Sequence, residues 1–305
     1  MQRHIVRRLG NTVFVVLGMA VMVFFMVRVT GDPARAMMPR EAGAEEVAEF
    51  RRAMGLDRPL PVQLIDFVSS LFLGDLGRSY FFRAPVLELI LGRLPATLEL
   101  AAAGLGFAVV VGIPLGLVAA YKPGTVVDAI ARLVALIGQS APGYWVAIVL
   151  ILLFAVRASY FPAIGRGGLR SIVLPAFTVS LPTLGYLTRL TRAHMFDVLN
   201  EGYIRTARAK GVRERTIHVR HALKNVAGPL VTIVGVHFGY LVGGSVFIET
   251  VFAWPGIGQL AYQAITVRDF PLVQGVALFA GFFVAMINLV VDLIYGLIDP
   301  RIQYD

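Results

Sequence analysis

Long apolar stretches separated by polar segments dominate the pattern of this chain. A stretch of about 20 apolar residues is long enough to cross a bilayer as a helix. Prolines inside such helices are tolerated and often produce kinks. Six stretches are predicted as transmembrane helices, at about residues 11–29, 97–120, 130–156, 172–190, 230–251 and 276–298. Prolines lie inside three of them, at Pro114, Pro142, Pro175 and Pro182.

The segment between the first two spans has a different pattern. Residues 32–93 carry eight arginines and nine acidic residues, without an apolar run long enough to cross a membrane. Helical spacing predicts one helix over 44–54, which the run Gly55-Leu-Asp-Arg-Pro59 ends. A second helix is predicted over 63–73, before Gly74. We therefore expect a small folded domain outside the cytoplasm.

Composition agrees with a membrane protein. The chain is 57% hydrophobic and 15% charged, whereas a soluble domain is about one-quarter charged. Its net charge of +9 could suggest a nucleic-acid partner, but nine of the 28 Lys and Arg residues lie between positions 189 and 224, beside apolar spans. Such clustering is the usual orientation signal. We expect a lipid bilayer and no nucleic acid as a partner. The absence of cysteine excludes disulfides and thiolate sites.

The distribution of charge predicts the orientation. Arginines precede the first span, so the N-terminus is expected in the cytoplasm. Six spans then place the 191–229 loop and the C-terminal tail on the same side. The 189–224 stretch has nine basic and three acidic residues and therefore a net charge of +6, as expected because cytoplasmic loops carry an excess of Lys and Arg. The loop with Arg157, Arg166 and Arg170 goes against this expectation.

The first span has a second reading. Ala34-Arg35-Ala36 resembles a signal-peptidase site, so residues before it could be a cleaved signal peptide. The length of the apolar run, with Arg28 at its far end, favours a retained membrane anchor.

Several kinds of chemistry lack their motifs. A nucleotide-binding P-loop needs a lysine directly after a glycine, and none of the three lysines has one. Neither His-Glu-x-x-His nor Gly-x-Ser-x-Gly occurs. His218 and His221 are three residues apart, but the surrounding arginines would repel a metal cation. We therefore predict no catalytic, cofactor-binding or metal-binding residue, and a solvated or docking role for these histidines.

Acidic residues inside the spans are also few. Glu99 and Glu249 lie near span ends, and Asp292 is the one acid well inside a span. We expect Asp292 to form a helix-terminal ion pair or hydrogen bond rather than a proton relay. Without an ATPase motif or an evident ion path, the energy for any transport should come from a partner.

The basic loop has the pattern of two helices joined by a turn. Tyr203 to Lys210 is predicted as a short amphipathic helix, with Ile204, Ala207 and Gly211 along one face. Ala207 is small enough to permit close approach to a partner. Gly211 fits the left-handed position that follows a helix. A second helix is predicted from Arg213 to Lys224, with Pro229 opening the next span.

Two spans carry stripes of small residues. Gly235, Gly239 and Gly243 recur at every fourth position of the fifth span, and Gly112 and Gly116 repeat the spacing on the second. Small residues let helices approach closely in lipid. Packing within the chain is favoured over a subunit interface.

The run Tyr203-Ile-Arg-Thr-Ala-Arg-Ala-Lys-Gly211, followed by His221-Ala-Leu-Lys-Asn225 and Pro229, resembles the coupling loop of ABC-transporter permeases. It is similar to the branch that imports dipeptides, oligopeptides and nickel. The general consensus of permease loops begins Glu-Ala-Ala, where this chain has Arg205-Thr206-Ala207. The later Ile-x-Leu-Pro of the consensus corresponds to His221-Ala-Leu-Lys224 in this chain. Both departures are typical of that branch. Further similar segments are Gly31-Asp-Pro33, Gly55-Leu-Asp-Arg-Pro59, Gly74-Asp-Leu-Gly-Arg-Ser79, Leu94-Pro-Ala-Thr-Leu98, Glu249-Thr-Val-Phe-Ala-Trp-Pro-Gly-Ile-Gly258 and Asp299-Pro-Arg301.

The resemblance implies an all-α integral membrane protein with six transmembrane helices and the type I ABC importer permease fold. Residues 1–95 would form the first helix and the extracytoplasmic domain. Residues 96–298 would form the permease domain with five helices, including the coupling loop at 191–229. Residues 299–305 would be a cytoplasmic tail. The protein would cross the cell's inner membrane several times, with both termini in the cytoplasm.

The resemblance also implies partners. These are a homologous second permease, two ABC ATPase subunits that bind ATP and Mg, and an extracytoplasmic solute-binding protein. The chain would then be half of a translocation pathway and not an enzyme, with Gly211 as the hinge of its coupling element. The implied ATPase-coupling residues are Glu201, Gly202, Tyr203, Ile204, Arg205, Thr206, Ala207, Arg208, Ala209, Lys210 and Gly211.

The solute stays open. Peptides are expected from the family, and nickel chelates, glutathione or another small molecule are alternatives. An ion-coupled secondary carrier would need inverted repeats or paired broken helices, and the sequence offers no convincing duplication. An intramembrane enzyme lacks a catalytic constellation, and a scaffold or receptor would show no solute flux.

Overall fold

The computed structural model describes residues 2–29, 32–38 and 41–298, and helices dominate these residues. Two segments, Ile151–Arg157 and Ile217–Ala222, are wound as π-helix and continue neighbouring α-helices. The α-helices are α1 Gln2–Val29, α2 Pro33–Met37, α3 Ala44–Ala53, α4 Leu60–Phe72, α5 Val86–Tyr121, α6 Val126–Ser140, α7 Gly143–Leu150, α8 Leu169–Leu199, α9 Gly202–Ala209, α10 Glu214–Thr216, α11 Leu223–Gly244, α12 Val246–Val251, α13 Ile257–Thr266 and α14 Phe270–Ile298.

The predicted spans have helical counterparts. Five single helices are long and apolar enough to cross a membrane, in α1, α5, α8, α11 and α14. A sixth candidate is the pair Val126–Ser140 and Gly143–Arg157, which is bent by 106°. The described residues therefore contain five candidate spans, or six if the bent pair counts as one.

The bend lies at Pro142, one of the prolines expected to kink the predicted 130–156 span, and it breaks the helix into two. Pro142 lacks the backbone N–H that a helix needs and disfavours the helical conformation at the residue before it. Ala141 accordingly has φ −75° and ψ 125°, which is extended backbone. The helix stops there, and a new one begins at Gly143.

The fifth span also differs from its predicted bounds. Pro229 lies inside α11 instead of opening the span. The span does not continue to residue 251, because the helix ends at Gly244 and α12 begins at Val246. Ser245 separates the two with φ −81° and ψ 15°.

One compact unit comprises the described parts of residues 1–97 and 255–286. It contains α3 and α4, which confirm the two helices predicted between the first two spans. Arg28, at the end of α1, donates hydrogen bonds to the carbonyl of Phe24 (3.0 Å) and to Gln63 Oε1 on α4 (2.6 Å). The hydrophobic core of this compact unit is built from Val86, Ile90, Ile257, Leu260, Ala264, Leu272 and Val276.

A buried carboxylate fixes a loop within this unit. Asp269 is 2% exposed and precedes α14. It accepts hydrogen bonds from the Ser79 hydroxyl and from the backbone N–H groups of Phe81 (3.1 Å) and Leu272 (3.3 Å). Because a buried carboxylate needs such donors, the 79–81 turn and the start of α14 are held together.

The second unit comprises residues 98–254 and the described residues from 287 onward. Glycines bring its helices close together. A Cβ on Gly138 of α6 would lie 2.5 Å from the Leu181 carbonyl oxygen of α8, and one on Gly185 would lie 2.8 Å from that of Ala135. No side chain fits at such distances. The core contains Ala108, Ala120, Leu184, Leu187, Met195, Ala222, Val226 and Leu230.

The predicted glycine stripes lie at helix contacts within this unit. On α11, a Cβ at Gly235 would lie 2.1 Å from Val291, and one at Gly239 would lie 3.4 Å from Ile287, both on α14. Gly243 is exposed. On α5, a Cβ at Gly112 would lie 3.1 Å from a backbone carbonyl oxygen of α8, and one at Gly116 would lie 2.6 Å from another.

The compact units are divided differently from the predicted domains. The predicted boundary lies at residue 95, and the N-terminal segment of the first unit ends at residue 97. Residues 255–286, however, cluster with the N-terminal segment because α13 and the first part of α14 share its core.

Some predicted features lie outside the described residues. They are the tail 299–305, with its Asp299-Pro-Arg301 motif, and Gly31 of the Gly31-Asp-Pro33 motif. The side chains of Asp292 and His221 also lie outside the described part.

Candidate functional site

The predicted coupling helix forms as α9. It spans eight residues, Gly202–Ala209, between α8 and α10. Ile204 is its one fully buried residue, and the helix contacts the π-helical segment Ile217–Ala222. An isolated helix of this length is marginal in water. Its stability therefore depends on the buried isoleucine and on tethers to neighbouring segments.

The C-terminal turn of α9 confirms the expected conformation of Gly211. Its φ of +74° is in the left-handed region, which glycine enters without a steric penalty. The Gly211 N–H donates to the Arg208 carbonyl (2.9 Å), and the Val212 N–H donates to the Ala207 carbonyl (3.2 Å). These bonds satisfy carbonyls that the helix end leaves free.

An ion pair joins α9 to the next helix. Arg208 donates to both carboxylate oxygens of Glu214, with Nε–Oε1 at 2.7 Å and Nη2–Oε2 at 3.4 Å. His218 Nε2 lies 3.1 Å from Glu214 Oε2, and the His218 ring stacks on Tyr121 with centroids 3.9 Å apart. A partly exposed ion pair contributes little by itself. Together, the ion pair and the ring stack restrict the position of the turn between α9 and α10.

A second tether lies on the other side of α9. Asn225 Nδ2 donates to the Tyr203 hydroxyl at 2.6 Å. Asn225 belongs to α11, so the start of the short helix is bonded to the transmembrane helix that follows it. This hydrogen bond therefore links α9 to α11.

The ionisable groups beside α9 have shifted pKa values. The hydrogen bond from Arg208 lowers the pKa of Glu214 against the opposing effect of burial, with a smaller contribution from the charge of Arg208. Burial lowers the pKa of His218, against the opposing effect of the Glu214 carboxylate. These shifts favour the ionised carboxylate of Glu214 and the neutral ring of His218.

The described surroundings of His218 are those of an ion pair and a ring stack. Over the described residues, His, Cys, Asp and Glu form no group of three or more that could hold an ion. His218 instead packs against Tyr121 and bonds to Glu214.

The two sides of α9 differ in how exposed they are. Ala207 is half-buried and lies on the same side as Ile204, so this side faces the chain itself. Arg205, Thr206 and Ala209 are exposed on the opposite side. Arg205, Thr206 and Ala209 are therefore more exposed than Ala207, and the role of Ala207 in close approach to a partner stays a prediction.

A second ion pair, which the sequence pattern did not reveal, joins the first turn of α6 to α8. Asp128, in the first turn of α6, has a side chain only 2% exposed. Arg192 of α8 contacts both of its carboxylate oxygens, at 2.6 and 3.1 Å, and the Gly124 N–H donates to Oδ2 at 3.0 Å. The pair joins two helices near the point where α8 leads into α9. The available sequence signal for this ion pair was Asp128, an acidic residue at the start of an apolar run.

The arginine loop that went against the orientation rule contains an ion pair of its own. Arg166 contacts Glu99 at 2.6 Å, with both side chains more than two-fifths exposed. Its charge is therefore partly compensated within the chain.

Comparisons with known proteins cover nearly the whole chain. Residues 112–304 match the family model described as the binding-protein-dependent transport system inner membrane component. Residues 1–101 match the N-terminal model for the membrane component of such systems.

Named relatives match over their full length. A peptide transport system permease of Brucella abortus is 41% identical over 310 residues, covering 99% of both chains. The glutathione transport system permease GsiC of Pectobacterium atrosepticum is 37% identical over 305 residues, covering both chains completely.

A solved structure shares the fold. The MetNI methionine ABC transporter in an inward-facing conformation aligns with a TM-score of 0.55 at 22% identity. The alignment covers 70% of this chain and 97% of that one. It confirms the type I permease fold.

Proposed function

Because this chain belongs to the family of binding-protein-dependent transport system inner membrane components, we propose that it is one half of the translocation pathway of an ATP-driven importer of peptides. The relatives named for peptide and glutathione transport support a small peptide as the solute. Nickel chelates and other small molecules are the alternatives. The observation that carries the proposed mechanism is α9, a short basic helix with one buried anchor and an exposed outer face.

We propose that α9 transmits motion from an ATPase to the spans. Its outer face, with Arg205, Thr206 and Ala209, would enter a groove on the ATPase. The ion pair of Arg208 and the bond from Asn225 to Tyr203 would carry the displacement to α10 and α11. This device needs a rigid helix and no reactive group, so residues 201–211 would act as a mechanical contact.

The family supports ATPase subunits and a solute-binding protein as partners. We propose in addition that a homologous second permease completes the pathway, and that two ATPases bind one α9 each. ATP and Mg would be held by those ATPases and not by this chain, in which no lysine follows a glycine.

We propose that the chain lies in the inner membrane with both termini and α9 in the cytoplasm. The net charge of +6 between residues 189 and 224 supports this orientation. The α3 and α4 region would then lie outside. Single cysteines at Ala209 and Leu73 should be modified by an impermeant thiol reagent from opposite sides of the membrane. Modification of both from one side would contradict the proposed topology.

Gly211→Pro tests the coupling role. Proline cannot adopt the φ of +74° and lacks the N–H that bonds to Arg208. The variant should reach the membrane at the normal level, but ATP hydrolysis should no longer drive uptake of a dipeptide, and less ATPase should copurify.

The chain offers a closely matched control. Gly74 also follows a helix, has φ +74°, and donates its N–H to a carbonyl three residues earlier at 3.0 Å. Gly74→Pro therefore makes the same backbone change in the α4 region, and it should leave ATPase copurification unchanged. Equal ATPase recovery with both variants would overturn the coupling role of 201–211.

A further inference from the structure

A cavity of about 210 Å³ lies between α7, α8, α11 and α12, entirely within the second compact unit. Its lining is largely apolar and aromatic, with a few polar side chains among them. Among those lining it are Tyr144, Thr183, His237, Tyr240, Ser245 and Phe247.

Two helix interruptions border this cavity. The 106° bend between α6 and α7 ends at Gly143 and Tyr144, and the break between α11 and α12 falls at Ser245. An interruption leaves backbone groups without helical partners, which lipid cannot satisfy. Irregular backbone within a membrane is tolerated where it is buried in protein or lines a water-filled cavity. In transporters, interrupted helices near the midplane also mark solute sites.

An ionisable side chain faces the same cavity. His237 lies within the Leu223–Gly243 span. Its Nδ1 is 3.0 Å from the hydroxyl oxygen of Thr183, which is 1% exposed, so the ring is held in place. The described residues provide no hydrogen-bond partner for the other ring nitrogen, Nε2. Ionisable groups inside membrane spans are costly and typically face a solute or ion path.

Large aromatic side chains remain exposed around the cavity. Tyr144 is 56% exposed, Tyr240 is 67% and Phe247 is 73%. Among the described residues, no Asp, Glu, Lys or Arg lines it. Such a surface offers hydrogen bonds and apolar contact without selecting for charge. That chemistry suits a small solute whose amide groups are constant while its side chains vary.

We propose that this cavity is a solute-contacting site on the translocation pathway, and that His237 Nε2 and the surrounding aromatic rings contact a small peptide there. The peptide identity rests on the proposed function. The existence of an aqueous path along α8, α11 and α12 does not depend on it.

The absence of cysteine from the chain allows a direct test. Tyr240→Cys places a thiol beside the cavity. Val110→Cys is the matched control, because Val110 is 72% exposed and lies within the Val86–Tyr121 span away from this cavity. The assembled transporter in native membranes is treated with a charged, impermeant methanethiosulfonate reagent.

A thiol in water ionises and reacts, whereas a thiol in lipid does not, so Tyr240→Cys should react at least about tenfold faster than Val110→Cys. Addition of a dipeptide such as Ala-Phe, with the binding protein and ATP, should slow the Tyr240→Cys reaction. Equal reaction rates for the two variants would overturn the pathway assignment. Fast reaction without protection by a dipeptide that the parent transports would overturn solute contact.

A second variant tests His237 directly. Asn in place of His237 can keep a polar atom near Thr183 but removes the group at Nε2. His237→Asn should lower dipeptide uptake by about tenfold while the protein level, ATPase copurification and Tyr240→Cys reactivity persist. Unchanged uptake would overturn the role of His237.

Parallel measurements separate this proposal from the proposed function. If the parent transporter takes up no dipeptide but its ATPases copurify, the peptide assignment and the peptide-contact proposal fail together, while thiol reactivity still decides the aqueous path. If no ATPase copurifies, the importer mechanism fails instead.

Discussion

Ile204→Ala is the perturbation that separates the anchoring of α9 from its outer surface. Ile204 is fully buried in a helix of only eight residues. Arg205, its neighbour in the chain, is exposed. Removal of the anchor should loosen α9 from the segment Ile217–Ala222, whereas removal of the neighbouring arginine should leave it attached.

The magnitude follows from the buried side chain. The substitution deletes three carbon atoms, and each buried methylene stabilises by about 0.8 kcal/mol. A residual cavity would add to this, and Ile→Ala changes in cores cost about 2–5 kcal/mol. Because α9 is short and its other residues are mostly exposed, we expect partial collapse and a cost of about 2 kcal/mol. That corresponds to about a 30-fold change in the docking equilibrium.

Hydrogen exchange of the backbone amides in residues 202–209 measures this equilibrium. In the purified protein without ATPases, Ile204→Ala should reduce their protection by about 30-fold, and Ile204→Val by about fivefold. Arg205→Ala should leave protection unchanged. In the assembled transporter, Ile204→Ala should also lower the amount of dipeptide taken up for each ATP hydrolysed.

The ranking of hydrogen-exchange protection among the three variants tests whether Ile204 anchors α9. If Ile204→Ala and Arg205→Ala show the same protection, Ile204 does not anchor α9, and the view of α9 as a rigid contact fails. If protection falls but coupling stays normal, anchoring is real and coupling does not depend on it.

Other contacts give three further predictions. Asp128→Asn leaves the charge of Arg192 without its carboxylate partner and should cost about 2–3 kcal/mol in thermal unfolding, with Asp128→Glu milder; an unchanged Tm would contradict the role of the pair. Gly138→Ala should cost about 1–3 kcal/mol because its Cβ would meet a backbone carbonyl, whereas Gly106→Ala, with open space around it, should not destabilise the protein. Because the folded-state pKa of His218 lies below its unfolded value, acidification through about pH 6.5 and below should weaken protection of α9, and His218→Gln should flatten that pH profile.

The sequence was sufficient for features that depend on neighbouring residues. Apolar length predicted the spans, helical spacing predicted α3 and α4, and the pattern around Gly211 predicted both α9 and its left-handed turn. Each follows from transfer energies or backbone preferences that a few consecutive residues determine. Pro142 was visible as well, but one proline indicates a break without giving its 106° angle.

The tertiary structure decided what distant residues do together. Asp128 and Arg192 are 64 positions apart, and Thr183 and His237 are 54 apart, so no local pattern could pair them. Which side of α9 faces the chain likewise depended on packing against residues 217–222 rather than on its amphipathic pattern alone. Sequence by itself determined the membrane class, the spans and the basic loop, because these properties add up along the chain. Only the folded helices determined the anchor, the ion pair and the cavity beside His237, because those require surfaces from separate spans to meet.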